Sequence, residues 1–401
     1  MRASRTASAI AIGAISLPLL AGTTTAVVAS PRAAPLIWKQ MAELRGSDTV
    51  ARDVFGSSAA ISGTTAVVGA PGHANFAGRA YVYTKAATGW KQTAELKGSN
   101  TAGGDNFGTS VAISGTTIVV GAYSHANTAG AAYVFAKTGA GWKQTAELEG
   151  TDTASDYFGV SAAISGTTAV VGAFADASSD GAAYVFTKTG AVWKQAELKG
   201  SYTADAGDFG GSVAISGTTA IVGAPNTNSG AAYVFTKTGA GWKQTAELEG
   251  TDTASGDGFG GSVAISGTTA VVGAYDHDDG AGAAYVFTKT GAGWKQVAEL
   301  VLHLPVIPGF HLSAAGDHFG NSVAVSGTTI VVGAVGYSET AGTAYVFAKT
   351  GAGWKQVAEL KGADTVANDA FGNSVAISGM TAVVGACYHE GNAGTVYVFE
   401  A

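Results

Sequence analysis

One stretch, FGGSVAISGTTAVVGA at residues 259–274, returns seven times along the chain, and only a fold built from seven like units accommodates it. Its copies begin at Phe55, Phe107, Phe158, Phe209, Phe259, Phe319 and Phe371. A unit this short cannot bury its apolar side chains alone; it has to stack on its neighbours. In the fifth copy Val263 and Ile265 alternate with Ser262, Ala264 and Ser266, the period of a β-strand. Ser266-Gly267 predicts a tight turn, and residues 268–274 a second strand of small and β-branched side chains. After a polar loop, AAYVFTK (283–289) predicts a third strand. WKQVAEL (294–300) predicts a fourth, with Trp294, Gln296, Ala298 and Leu300 on one side and Lys295, Val297 and Glu299 on the other.

The polarity along these strands is graded. The first two carry almost no charge, the middle strands are apolar on both faces, and the fourth carries Lys and Glu. That gradient fits a propeller blade, whose inner strand lines an axis, whose outer strand meets water and whose two faces are covered by other blades. Trp and Phe are expected to fill the space between blades. Seven Trp residues match the seven Phe-Gly starts and set the blade count at seven, and the ends of the chain point to how the ring closes. Residues 38–44 form a fourth strand with no blade before them, and the last copy stops at Ala401 without its Trp strand. Joining the two removes two open sheet edges. The expected fold is therefore all-β: a seven-bladed β-propeller of four-stranded antiparallel blades spanning 38–401, closed by the N-terminal strand on the last blade.

Residues 1–29 read as a secretory signal: Arg2 and Arg5, an apolar run from Ala9 to Leu20 too short to span a bilayer, and small residues before a cut after Ala29. Residues 30–37 are a lead-in. The later chain has no 18-residue apolar stretch, so no membrane span is expected, and the location expected is extracellular. Gly is abundant, yet β-branched and aromatic residues recur in register, which excludes a disordered Gly-rich chain. Losing Arg2 and Arg5 takes the formal charge from −7 to about −9, which argues against nucleic acid and anionic membrane as partners. A monomer is expected. Cys387 stands alone and reads as a buried free thiol.

The Phe-Gly start followed by SVAISGTTAVVGA resembles the FG-GAP repeat of integrin α-subunit propellers and bacterial secreted proteins. The final Pro of that motif survives at Pro71 and Pro225; Tyr123, Phe174, Tyr275, Val335 and Cys387 replace it elsewhere. The resemblance implies a propeller that meets its ligand, a protein or a glycan, through one loop face. Integrin-type blades often carry a calcium loop between strands one and two. Here that turn is Ser-Gly-Thr-Thr, as at Ser114–Thr117, with Met380 replacing a Thr in the last copy. Calcium needs six to eight oxygens, so no metal or cofactor is expected at those turns.

In a four-stranded blade the 1–2 and 3–4 turns share one face, and the 2–3 loops and blade connections share the other. The 1–2 turns are nearly uniform; the 2–3 loops vary, from PNTNSGA to YDHDDGAGA. Function concentrates on such loops. The densest polar group is Asp276, His277, Asp278 and Asp279, and the long connection 301–318 brings His303 and His311 to the same face. Together these six are the candidate ligand site, since carboxylates and imidazoles suit a metal or a sugar; the plainer reading is a solvated acidic loop beside an apolar flap. His73, His125 and His389 read as solvated loop histidines. The Asp ahead of each Phe, from Asp53 to Asp369, reads as a turn-fixing acceptor of backbone N–H, with a ring of carboxylates at the channel mouth as the alternative. No catalytic residue is assigned, because no nucleophile elbow, zinc-protease or phosphate-loop motif is present. The expected function is non-enzymatic binding or adhesion. The alternative is an extracellular hydrolase or lyase acting on polysaccharide or lipid, with paired carboxylates from different blades.

Overall fold

The computed structural model describes residues 37–151, 156–175, 180–201, 207–302, 316–336 and 341–401. Seven four-stranded antiparallel sheets follow one another around an axis. Blade five is typical: Phe259–Ser266, Thr269–Ala274, Ala283–Thr290 and Gly293–Leu300. Blade seven joins both ends of the described chain. Lys39–Leu44 pairs antiparallel with Thr395–Glu400, with Leu44 opposite Val396 and Gln40 opposite Phe399. The expected closure is thus the observed one. The expected signal, residues 1–29, and most of the lead-in lie outside the described residues.

Aromatic residues set the polarity of each blade interface. In the third strand of blade five, Tyr285 and Phe287 face blade four, and the blade's own Phe259 meets them edge-on at 5.4 and 6.2 Å between ring centroids. Val286 and Ala284 face the other way and pack under Phe319 and Phe347 of blade six. Every blade repeats this, and Phe55, Tyr81 and Tyr83 of blade one close the ring against Val396 and Val398 of blade seven. The fillers are the FG phenylalanine, fully buried in every blade, and the third-strand tyrosine, fully buried in all but blade six, where Tyr345 is partly covered, whereas the tryptophans only flank the clusters as partly buried side chains. The correction has a simple cause: Trp starts an edge strand, which is covered on one side only.

Two rings of side-chain hydrogen bonds explain why Ser and Gly recur. The turn glycine of each blade donates its N–H to the serine hydroxyl ending the preceding blade's first strand: Gly115 to Ser62, Gly267 to Ser216, and Gly63 to Ser378 across the closure, at 3.0–3.1 Å. Gly63 sits at φ +58° in open space, so the backbone angle rather than crowding calls for glycine there. In the second ring, the first-strand serine donates to the carbonyl of the next blade's FG glycine: Ser58 to Gly108 and Ser262 to Gly320, with Ser374 to Gly56 closing it, at 2.7–2.8 Å. A Cβ on Gly273 would collide with that carbonyl and with Ser262 Oγ, which is why the second strand ends in Gly-Ala.

The first strands line the axis with alanine, valine and isoleucine, among them Ala60, Ile113, Val263 and Ala376. Most fourth strands carry a bulge, as between Val286 and Phe287 on the partner register; blade three, one residue shorter there, pairs without one. Cys387 is 3 % exposed, and burial pushes its thiol up to about 12, which makes it unreactive at neutral pH. No helix among the described residues is long and apolar enough to cross a membrane.

Candidate functional site

The 2–3 loops lie on the same face as the connections between blades and bond to them directly. Asn106 N–H donates to the Phe76 carbonyl at 2.7 Å, and Val54 N–H to that of Asn392 at 2.8 Å across the closure. In blade five, Gly316 and His318 both donate to the Gly280 carbonyl.

Four of these loops are held by one device. Each places a histidine at the head of the loop and two residues after it in the left-handed region: Ala74-Asn75, Ala126-Asn127, Asp278-Asp279 and Glu390-Gly391, with φ between 50° and 68°. Such φ values are costly for side chains other than Gly, Asn and Asp, so the loop needs an anchor. The histidine Nδ1 supplies it by pairing with the aspartate that precedes the FG phenylalanine: His73 with Asp53, His125 with Asp105, His277 with Asp257 and His389 with Asp369, at 2.7–2.8 Å. The same carboxylates accept the backbone N–H three residues earlier, from Val50, Ala102, Ala254 and Val366. The turn-fixing role of these aspartates is confirmed, and in these four blades they do not form a ring at the channel mouth. His73, His125 and His389, by contrast, are not solvated: their side chains are 6–14 % exposed, because each imidazole is drawn inward by a buried carboxylate.

The candidate residues of blade five divide between two places. Asp276 turns toward the connection, where its Oδ1 is 3.2 Å from His318 Nδ1. Asp276, Asp279 and His318 line a shallow cleft of about 480 Å³ with Gly256, Gly280 and Gly316. His277 points the other way, into a group that includes Asp252 and Glu299; one ligand atom from each of these three lies within 4.8 Å of the others. Asp278 Oδ2 is 3.8 Å from His277 Nε2 and its side chain is 82 % exposed. His303 and His311 lie outside the described residues.

Charge accumulates around His277. Burial opposes its ionisation, yet the bond to Asp257 and the nearby Asp278 and Asp252 carboxylates leave its pKa above the ordinary value. Glu299 is also raised, first by burial and then by the negative charge of Asp252 beside it. Tyr285 completes the group, donating its hydroxyl to Asp252 Oδ1 at 2.9 Å. Sequence reasoning passed over Asp252 and Glu299, which recur in register with other copies and so read as scaffold, and gave Asp257 a turn-fixing role alone. The usable signal was the fixed distance from aspartate to histidine, 20 residues in all four blades.

Beyond geometry, the FG-GAP repeat model matches seven segments: 38–83, 90–135, 142–186, 193–235, 242–287, 313–347 and 354–399. No curated protein matches the chain. Each matched segment but the sixth starts on the tryptophan of one blade and ends in the third strand of the next, so the sequence unit straddles the structural one, as the split seventh blade requires. The matches cover most of the chain, and the phenylalanines, serines and glycines they share are those that clasp blade to blade: the chain belongs to the FG-GAP repeat family.

Proposed function

We propose that this propeller is exported and acts as a non-enzymatic binding or adhesion module, recognising a protein or a carbohydrate through the face that carries the 2–3 loops. One observation carries the reading. The opposite face is nearly the same in every blade and its turn serines and glycines are consumed in the interblade ring, whereas the loop face differs in every blade over one rigid frame. A surface diversified over a fixed scaffold is where recognition resides. The loop face also exposes large apolar side chains in two adjacent blades, Val50 and Phe76 in blade one and Val366 and Tyr388 in blade seven, each 49–62 % exposed. Such residues beside carboxylates suit a protein surface or the apolar face of a sugar ring.

The test is a glycan array, with purified extracellular-matrix proteins immobilised in parallel, probed with the wild-type protein and with a variant whose blade-seven loop, residues 387–394, is replaced by the blade-four loop, residues 225–230. The reading expects saturable binding to one ligand class that the loop exchange reduces at least tenfold. Binding unaffected by exchange of this loop and of its blade-one counterpart would refute it. Export is checked separately, by sequencing the N-terminus of protein recovered from culture medium; a start near Ser30 is expected.

A further inference from the structure

In all four histidine-bearing blades the imidazole Nε2 looks toward the same small space. It is bounded by the fourth-strand glutamate and by the residue five positions before the anchoring aspartate: Asp48, Asn100, Asp252 or Asp364. Three of the blades place their own donor there. In blade one Arg79 Nε lies 2.7 Å from Glu95. In blade two Asn100 Nδ2 donates to Glu147 at 2.9 Å and stands 3.3 Å from His125 Nε2. In blade seven Arg45 pairs with Glu43 at 2.6 Å and with Glu390, and lies 3.9 Å from Asp364. Blade five has lost all three solutions at once. Ala283 stands where Arg79 would, Asp252 where Asn100 would and Val301 where Arg45 would. Asp252, His277 and Glu299 remain, and among the described residues no lysine or arginine pairs with any of them.

We propose that blade five binds a divalent transition-metal ion, Zn²⁺ or Mn²⁺ by chemistry, through Asp252, His277 Nε2 and Glu299, with Asp278 in reach as a fourth ligand. The imidazole is the second observation beside the carboxylates. The His277 side chain is 9 % exposed, its Nδ1 is engaged by Asp257 at 2.7 Å, and its Nε2 makes no hydrogen bond among the described residues. A carboxylate on one ring nitrogen that leaves the other aimed at a group of oxygens is the arrangement by which proteins orient a metal-binding histidine. At the matching place in blade seven, His389 Nε2 also makes no hydrogen bond and is buried outright, and the positive charge nearby is Arg45. One nitrogen and two or three carboxylate oxygens favour a transition ion over calcium, which takes oxygen ligands alone. Bonds of about 2.0–2.2 Å let two ligand atoms stand at most about 4.4 Å apart, so the exposed Asp252 and Glu299 side chains close by a few tenths of an ångström. The site is independent of what the loop face recognises.

The test uses purified protein stripped with EDTA and titrated with Zn²⁺ and Mn²⁺ by calorimetry, and with Co²⁺ for its visible absorption. The expected result is one ion per chain and a Co²⁺ spectrum that shows nitrogen coordination. Asp252→Asn and Glu299→Gln should each weaken binding at least tenfold, and Asp257→Asn, which would touch no metal, by about 10–100-fold. Val301→Arg, which supplies the cation that blade seven already has, should abolish binding while leaving the circular dichroism unchanged. If His277→Gln fails to fold, these surface variants still decide the matter. Absence of saturable uptake of all three ions up to about 1 mM, or uptake that Asp252→Asn and Glu299→Gln leave unaltered, overturns the proposal. So does binding of calcium alone.

Discussion

Blades five and seven carry the same loop device and differ in what surrounds it. Both anchor a histidine on the aspartate 20 residues earlier, both bend the next two residues into left-handed turns, and both bury the imidazole. Blade seven is assembled from the two ends of the described chain and holds Arg45 among Glu43, Asp364 and Glu390. Blade five is continuous and has only Val301 at that position, leaving Asp252 and Glu299 beside each other. The scaffold is indifferent to which way the charge is balanced. An arginine two residues after the glutamate balances it internally; without one, the same frame requires a proton or an ion from solution. A single edge-strand position thus separates a structural cluster from a site.

The largest difference between the blades should appear on truncation. Removing residues 30–44 strips blade seven of its outer strand, uncovers the edge of Thr395–Glu400 and takes Leu44 out of the cluster it shares with Tyr81 and Val396. The expected outcome in calorimetry is loss of the single cooperative transition for the whole domain. A truncated protein that melts like its parent would show that closure contributes little. Next in size is the anchor. Asp257→Ala and Asp369→Ala each leave a buried imidazole and a backbone N–H without an acceptor, and each should cost about 1–3 kcal/mol in denaturant unfolding. Similar costs would show that the two anchors are equivalent; a cost confined to blade seven would show that the anchor matters only at the closure.

Most of the frame was legible before any coordinates. The copies of FGGSVAISGTTAVVGA gave strands and turns, and the orphan Trp38 strand gave closure, because periodicity and edge strands act through local rules that sequence states directly. The site was less legible. Asp276 to Asp279 form the densest polar run, yet Asp276 turns toward His318 and His277 toward Asp252, so sequence neighbours part company. The residues that matter around His277 come from positions 252, 257 and 299, and their convergence depends on strand order and on a buried pairing that spacing alone does not reveal. Trp misled for a related reason: size suggested core, while its place at the start of an edge strand leaves it half covered.

A milder perturbation sharpens the charge comparison. Arg45→Val gives blade seven the residue of blade five. The guanidinium and its partners are substantially exposed, so the loss of stability should stay under about 1 kcal/mol. The hydrogen bond from Arg45 holds the Glu390 carboxyl below its usual range; in the variant it should return upward, as read by carboxylate NMR titration. The same variant should take up a second ion per chain. If it gains none while blade five binds one, the missing arginine is not what makes the site.

The smallest effect concerns blades that never had the imidazole. In blade four the Asp208 carboxylate accepts from the Asn226 amide instead of a histidine. Burial raises the Asp208 pKa, only partly offset by Asn226, and burial likewise raises Asp317 in blade six, offset in part by His318. A carboxyl whose folded-state pKa lies above its unfolded value favours the folded state below about pH 4, and loses that contribution as pH rises through the folded pKa. At neutral pH both groups are therefore ionised at some cost. Asp208→Asn and Asp317→Asn should each raise the melting temperature slightly at pH 7 and have no such benefit at pH 3.5, with the change falling between the two. A decrease at pH 7 would mean that these carboxylates are needed ionised, as acceptors for their own turns, and that an imidazole is one of several adequate partners for the aspartate that opens each blade.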